Sequence, residues 1–260
     1  MTPMTPAVAT EAGAGTRPLA WAVLGAAVLQ VVAPAITIGG SGQPPGAGSA
    51  PDLLITPVGW AFAIWGVIYL GALVQAVAVL VRGCTSLPRR LQVDQVVLYV
   101  GGALWIGAST LESSLATAAA LLLMLVAAVD GVLTAGRQVP PTGWLPRLTR
   151  FAVGLYAGWV TAAFFLNLGT ALVELDAFDV ERLGWQVALL AVAGVALLAL
   201  TLVTRVPAYA AAGVWALAGI AVTGADNGDT AVLALAAGAA LALALALVVA
   251  VRGVRRTAPA

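Results

Sequence analysis

Eight long apolar stretches, set apart by short segments that carry arginine, leave this chain one kind of fold. They run over about 19–38, 58–81, 95–110, 115–136, 151–174, 185–204, 206–224 and 231–251. A hydrocarbon core about 30 Å thick needs roughly 20 apolar residues as a helix. Inside it, only helices and closed barrels satisfy every backbone polar group. The third stretch is short. The boundary between the sixth and seventh rests on Arg205 and Pro207, which mark a tight turn. The last stretch alternates Ala and Leu, a strand-like pattern, but its length and its neighbours indicate a helix. The expectation is an all-α, polytopic membrane bundle of about eight helices. Composition agrees: 62% of residues are hydrophobic and 9% charged, against about 25% charged in soluble domains.

The arginines orient the bundle. If the N-terminus is cytoplasmic, the inner segments carry Arg17; Arg82, Arg89 and Arg90; Arg137, Arg147 and Arg150; Arg205; and Arg252, Arg255 and Arg256, leaving only Arg182 outside. That asymmetry is a strong positive-inside signal. It places both termini in the cytoplasm of a multi-pass cell-membrane protein and supports an even number of spans. Residues 1–17 read as a disordered cytoplasmic tail rather than a cleavable signal, and residues 253–260 as a second tail.

Several chemistries are excluded or disfavoured. A net charge of +1 gives no electrostatic case for nucleic acid. The single cysteine, Cys84, has no intrachain disulfide partner and makes no metal motif. There is no histidine, and all twelve basic residues are arginine. The usual general base, the usual metal ligand and any Schiff-base lysine are therefore missing. An opsin-like retinal protein is excluded, and no catalytic or metal-binding residue is expected.

Aromatic residues are not scattered evenly. Phe62, Trp65 and Tyr69 fall at i, i+3 and i+7 on one face of the second span, with Trp60 at its outer end after Pro57. Tyr156, Trp159, Ala163 and Asn167 share a face of the fifth span, and Trp105 and Ser109 are i, i+4 on the third. Given the span directions, Trp60, Phe62, Trp65, Trp105, Ser109, Phe164 and Asn167 all lie in the outer half of the bilayer. The loop 39–56, rich in Gly, Pro and Ser, is placed to cover them. Trp60 suits an interfacial belt as well as a pocket; Trp65 and Trp105 lie deeper than a belt, where packing and pocket lining are equally open. Asn167, roughly 10 Å from the outer end at 1.5 Å per residue, needs a partner, either another helix or a ligand. Gly154 and Gly158 form GxxxG, which brings helices close within the fold or in a homodimer. Asp130 is the acid inside a span, with Arg137 at i+7 as its expected ion-pair partner; an intramembrane acid is a functional candidate by default.

Three of these stretches resemble the tryptophan-rich sensory protein, or translocator protein (TspO/MBR), family. Pro57, Trp60, Phe62, Trp65 and Tyr69 are similar to its PPxWxFxxxWxxLY segment, which opens the second helix. Leu98, Tyr99 and Trp105 match its third helix. Leu155, Tyr156 and Trp159 through Leu166 and Asn167 resemble PYLxWxxxAxxLN. There are departures. Trp60 and Trp65 are five apart, one fewer than usual, which turns the first ring by about 100°. Gly102 stands where the family carries asparagine, and Ser109-Thr110 where it carries Phe-Phe.

The resemblance implies a five-helix bundle over 18–175, often dimeric, with three additional transmembrane helices over 176–252. It also implies a pocket beneath the first long loop that binds tetrapyrroles such as protoporphyrin, sterols or aromatic drug-like molecules. The expected ligand-binding residues are Trp60, Phe62, Trp65, Tyr69, Trp105, Ser109, Tyr156, Trp159, Phe164 and Asn167. The expected function is that of a sensor or transport-linked receptor for a hydrophobic planar ligand. No cofactor is expected beyond a tetrapyrrole bound as that ligand, and the partners are membrane lipid and the ligand itself. The alternative is a secondary transporter of a small or amphipathic solute that uses Asp130.

Overall fold

The structure, a computed structural model, describes residues 15–41, 52–83 and 87–256. Cys84, most of the loop 39–56 and nearly all of the first tail lie outside the described residues, as do the last four residues of the second. Among the described residues the architecture is all-α. The helices are α1 (Arg17–Ser41), α2 (Ile64–Arg82), α3 (Arg89–Ser109), α4 (Ser114–Gln138), α5 (Trp144–Glu174), α6 (Leu183–Thr204), α7 (Pro207–Asp226) and α8 (Thr230–Arg256). A 3-10 turn, Gly59–Ala63, leads into α2. All eight helices are long and apolar enough to cross a bilayer. The Ala/Leu alternation of the last span is helical, as expected.

Large apolar side chains face outward along these helices; Ile36, Leu70, Val126, Val195 and Val249 are all exposed. Polar side chains instead lie inside: Gln30, Gln75, Gln92, Gln95 and Thr149 are buried. A water-soluble fold would not leave so much apolar surface uncovered. In lipid that surface is the satisfied one, while buried amides find partners between helices. The chain is a multi-pass integral membrane protein.

Helix ends follow local chemistry. The Ser113 hydroxyl caps α4 by accepting from the Ala116 N–H, and the Glu174 carboxylate, at the end of α5, accepts from the Ser114 N–H. Arg205 takes a left-handed conformation (φ 51°) after α6, and Pro207 occupies the first turn of α7, where its missing N–H has no intrahelical partner to lose. Two helices begin well before the apolar runs do. α3 starts at Arg89 rather than near 95, and α5 at Trp144 rather than near 151.

α1, α2, α5, α4 and α3 pack in sequence around a ring, with α1 touching both α2 and α3. α5 also receives α7 and α6, and α8 closes over α7 and α6. The GxxxG motif has its partner inside the chain. A β-carbon at Gly158 would stand 2.3 Å from the Tyr209 carbonyl oxygen, and one at Gly154 would stand 2.5 Å from Val206 Cγ1. The motif thus brings α5 against α7.

A candidate ligand cleft between three aromatic helices

Phe62 is carried by the 3-10 turn, Trp65 by the first turn of α2, Trp105 by α3 and Trp159 by α5. The three indoles meet. Trp65 stacks on Trp105 at 5.6 Å between ring centroids with 26° between planes. It presents an edge to Trp159 at 6.1 Å and 85°. Phe62 meets Trp159 edge-on at 5.8 Å. Stacked and T-shaped pairs at such distances are the favourable arrangements of the ring quadrupole, each worth about 0.5–1.5 kcal/mol beyond buried area.

These rings form one wall of an open-mouthed cleft with about 50 Å³ of free space. Phe165, Leu166 and Asn167 extend the wall along α5, and Ile55 and Pro57 contribute from the chain entering the 3-10 turn. The opposite wall comes from α6 (Leu189, Leu190, Ala193, Leu197) and α7 (Ala216, Leu217, Ile220).

The polar groups of the lining are few. Asn167 donates to the Ala163 carbonyl at 3.1 Å and accepts a long 3.5 Å bond from Trp105 Nε1. It ties α3 to α5 at the cleft. Trp159 Nε1 is buried without a hydrogen-bond partner among the described residues.

Of the ten expected residues, Phe62, Trp65, Trp105, Trp159 and Asn167 line the cleft. The other five do not. Trp60 is 46% exposed and packs edge-on against Trp215 of α7 at 4.9 Å; the five-residue spacing and the 3-10 turn direct it away from Trp65. Tyr69 lies one turn below, against Trp65 at 5.3 Å. The Ser109 hydroxyl donates to its own helix at the Ile106 carbonyl, 2.7 Å away. Phe164 packs against its neighbour Phe165, and Phe165 is the one that reaches the cleft.

Tyr156 sits deeper. It stacks on Tyr99 at 5.6 Å, and its hydroxyl donates to Gln30 Oε1 at 2.8 Å. The same bond accounts for Gly102: a β-carbon there would lie 2.7 Å from the Tyr156 hydroxyl and 3.3 Å from Gln30 Oε1. The amide that the family pattern carries on α3 has no room, and a glutamine on α1 takes the tyrosine instead. Below this pair, Gln95 Nε2 donates to Gln75 Oε1 at 2.8 Å and reaches the Tyr99 hydroxyl at 3.2 Å. Glutamines within otherwise apolar spans are the sequence signal for this network.

Nothing in the sequence marked the α6 and α7 wall, because an aliphatic residue reads the same whether it faces lipid or a cavity. These helices also hold the end of the first loop. The Leu54 N–H donates to Gln186 Oε1 at 2.8 Å, and Thr223 Oγ1 donates to the Thr56 carbonyl at 2.8 Å. Trp215 Nε1 donates to the Ala61 carbonyl at 2.7 Å. The described end of the expected lid, residues 52–56, is therefore clasped by α6 and α7.

A sequence model of the family described as TSPO-like protein matches residues 18–251, from α1 into α8. The chain belongs to the TSPO-like family. No curated protein and no solved structure matched it. The TSPO-like match thus takes in α6, α7 and most of α8 together with the five helices that carry the aromatic motifs.

Asp130 has a different partner from the one expected. Arg90, from the first turn of α3, forms a bidentate ion pair with it, and its Nε donates to Asp130 Oδ2 at 2.6 Å. α4 does continue past Arg137, but α3 begins early enough to bring Arg90 opposite the carboxylate. The pair lies at the arginine-rich end of the bundle, away from the cleft.

Proposed function

We propose that this protein binds a hydrophobic, planar ligand of the tetrapyrrole or sterol-like class in the cleft between α2, α3 and α5, as a sensor or transport-linked receptor. The observation that carries the reading is the meeting of Trp65, Trp105 and Trp159, from three helices, on one mostly apolar cleft. Aromatic faces and edges offer a flat ligand dispersion and quadrupole contacts, and a concave apolar wall with few polar groups is the usual form of a small-molecule site. The arginine distribution supports an orientation with both termini in the cytoplasm and the cleft in the outer half of the membrane. Asp130 is already paired, at the other end of the bundle, so the proposed site does not depend on it.

Protoporphyrin IX titrated into the purified full-length protein should quench tryptophan fluorescence saturably. A Trp65→Ala/Trp105→Ala variant should lose most of that quenching. Quenching that never saturates, or that is unchanged in the double variant, would remove the basis of the reading.

A further inference from the structure

Away from the cleft, α2 and α5 meet along a seam on the outer surface of the bundle. Phe151 of α5 lies against Gly71 of α2, where a β-carbon would stand 3.8 Å from Phe151 Cε1. At the arginine-rich end of the seam are Arg82, the last residue of α2, and Trp144, the first of α5. The Arg82 guanidinium lies over the Trp144 ring, 5.6 Å from its centroid. Trp144, Arg147 and Phe151 follow i, i+3 and i+7, so all three share one face of α5. Trp144 is 55% exposed and Phe151 43%. The seam thus offers two largely uncovered rings along its length and two cations at its end.

Those cations are not answered within the chain. Neither Arg82 nor Arg147 pairs with an acid among the described residues. Residues 82–93 and 131–149 contain no aspartate or glutamate, and Asp130 is already held by Arg90. The Arg147 Nε donates to the Pro141 carbonyl at 3.3 Å, which steadies the side chain. A guanidinium over an indole is steadied by the ring quadrupole without using its N–H donors. Those donors form the planar fork that matches a phosphate. From this juxtaposition we infer that the α2–α5 seam binds an anionic phospholipid. Its phosphodiester is held by Arg82 and Arg147, and one acyl chain runs along Trp144 and Phe151. The adjoining rings select a lipid over a soluble phosphate, which makes no use of an apolar surface. Charge selects an anionic headgroup over a zwitterionic one, whose ammonium adds a third positive charge to two arginines without a counter-ion. Basic sites between helices are where anionic headgroups dock on membrane proteins.

The test uses the full-length protein, delipidated in mild detergent, and native mass spectrometry. Phosphatidylglycerol and phosphatidylcholine with the same palmitoyl and oleoyl chains are offered at equal concentration. Phosphatidylglycerol should be retained about tenfold better, and Arg82→Gln/Arg147→Gln should remove about that whole advantage. Arg89→Gln/Arg137→Gln takes the same charge from the same end of the bundle, but from α3 and α4, and should leave retention within about twofold. Trp144→Ala, which removes both the support of Arg82 and a contact for the chain, should weaken phosphatidylglycerol about threefold. Excess inorganic phosphate should not displace the bound lipid.

Equal retention of the two lipids overturns the inference. So does an equal loss in the two double variants, because the attraction then belongs to the arginine-rich end at large and not to this seam. Displacement by inorganic phosphate alone overturns the choice of a lipid and leaves a site for a free anion. Arg82, Arg147, Arg89 and Arg137 are all exposed, so none of the four substitutions opens the core. Should a variant nonetheless fail to fold, the paired lipids and the phosphate competition on the unaltered protein decide the matter.

Discussion

The absence of a side chain at Gly158 sets how closely two helices approach. A methyl group there would meet a backbone oxygen, that of Tyr209, at 2.3 Å, and backbone cannot rotate out of the way as a side-chain tip can. At Gly154 the nearest atom is the Val206 methyl, which has some freedom to move. The two glycines look equivalent in the motif but are unequal in their surroundings. Gly158→Ala is expected to destabilise the protein by about 1–3 kcal/mol, the usual range for overpacking, and Gly154→Ala by less. Thermal unfolding in detergent, followed by tryptophan fluorescence, measures both. An unchanged midpoint for Gly158→Ala would mean that α5 and α7 are not packed this closely. The Tyr209 hydroxyl, which donates to Thr161 Oγ1 at 3.0 Å, gives the same interface a polar lock. Which helix the glycines face was not legible in the sequence. GxxxG records that a close approach occurs and carries no information about the partner.

At the scale of elements, the apolar runs located all eight helices but misplaced the starts of two. The reason is the same in both. Arg89 and Arg90 open α3, and Arg147 and Arg150 lie in the first two turns of α5; charges outside an apolar run read as loop. Arg150 shows what such a residue does when it is helical. Its guanidinium is buried and donates to the carbonyls of Ala135 at 2.8 Å, Val139 at 3.1 Å and Gly136 at 3.2 Å. A further bond reaches the Arg205 carbonyl at 3.3 Å. Those carbonyls close α4 and follow α6, where helix ends leave acceptors without intrahelical donors and where a cation is favoured by the helix dipole. One side chain on α5 therefore ties down the ends of two neighbours. Arg150→Met should remove the side-chain donor from the Gly136, Val139 and Arg205 carbonyls, leave Ala135 with only its Val139 N–H, and destabilise the bundle by about 2–4 kcal/mol, judged from charged hydrogen bonds lost inside a protein. Arg150→Lys should recover only part, because one ammonium cannot reproduce the planar fork. Equal unfolding midpoints for the methionine variant and the parent protein would show that the clamp is dispensable.

Taken as a whole molecule, the aromatic half of the cleft was readable because indoles at helical spacing stand out against Ala, Leu and Val. The aliphatic half was not readable, because those residues are the background. The consequence concerns the boundary near residue 175, where the motif-bearing helices end and the additional ones begin. Helices in lipid are held together by close packing rather than by the hydrophobic effect, and the closest packing on α5 is its contact with α7 at Gly154 and Gly158. The same α7 holds Trp60 through Trp215 and holds Thr56 through Thr223. A chain ending at residue 175 would lose the opposite wall of the cleft and the anchors of the segment that leads into the 3-10 turn. Such a truncation is expected to lose saturable protoporphyrin quenching. Cutting the chain between α5 and α6 and co-expressing the two pieces should restore it, because every contact is then available and only a loop connection is missing. The recovered pieces should co-purify, and their binding should lie within about threefold of the intact chain. A truncated protein that binds as well as the full chain would instead assign the site to the first five helices alone, and α6 and α7 would have no part in the cleft's function.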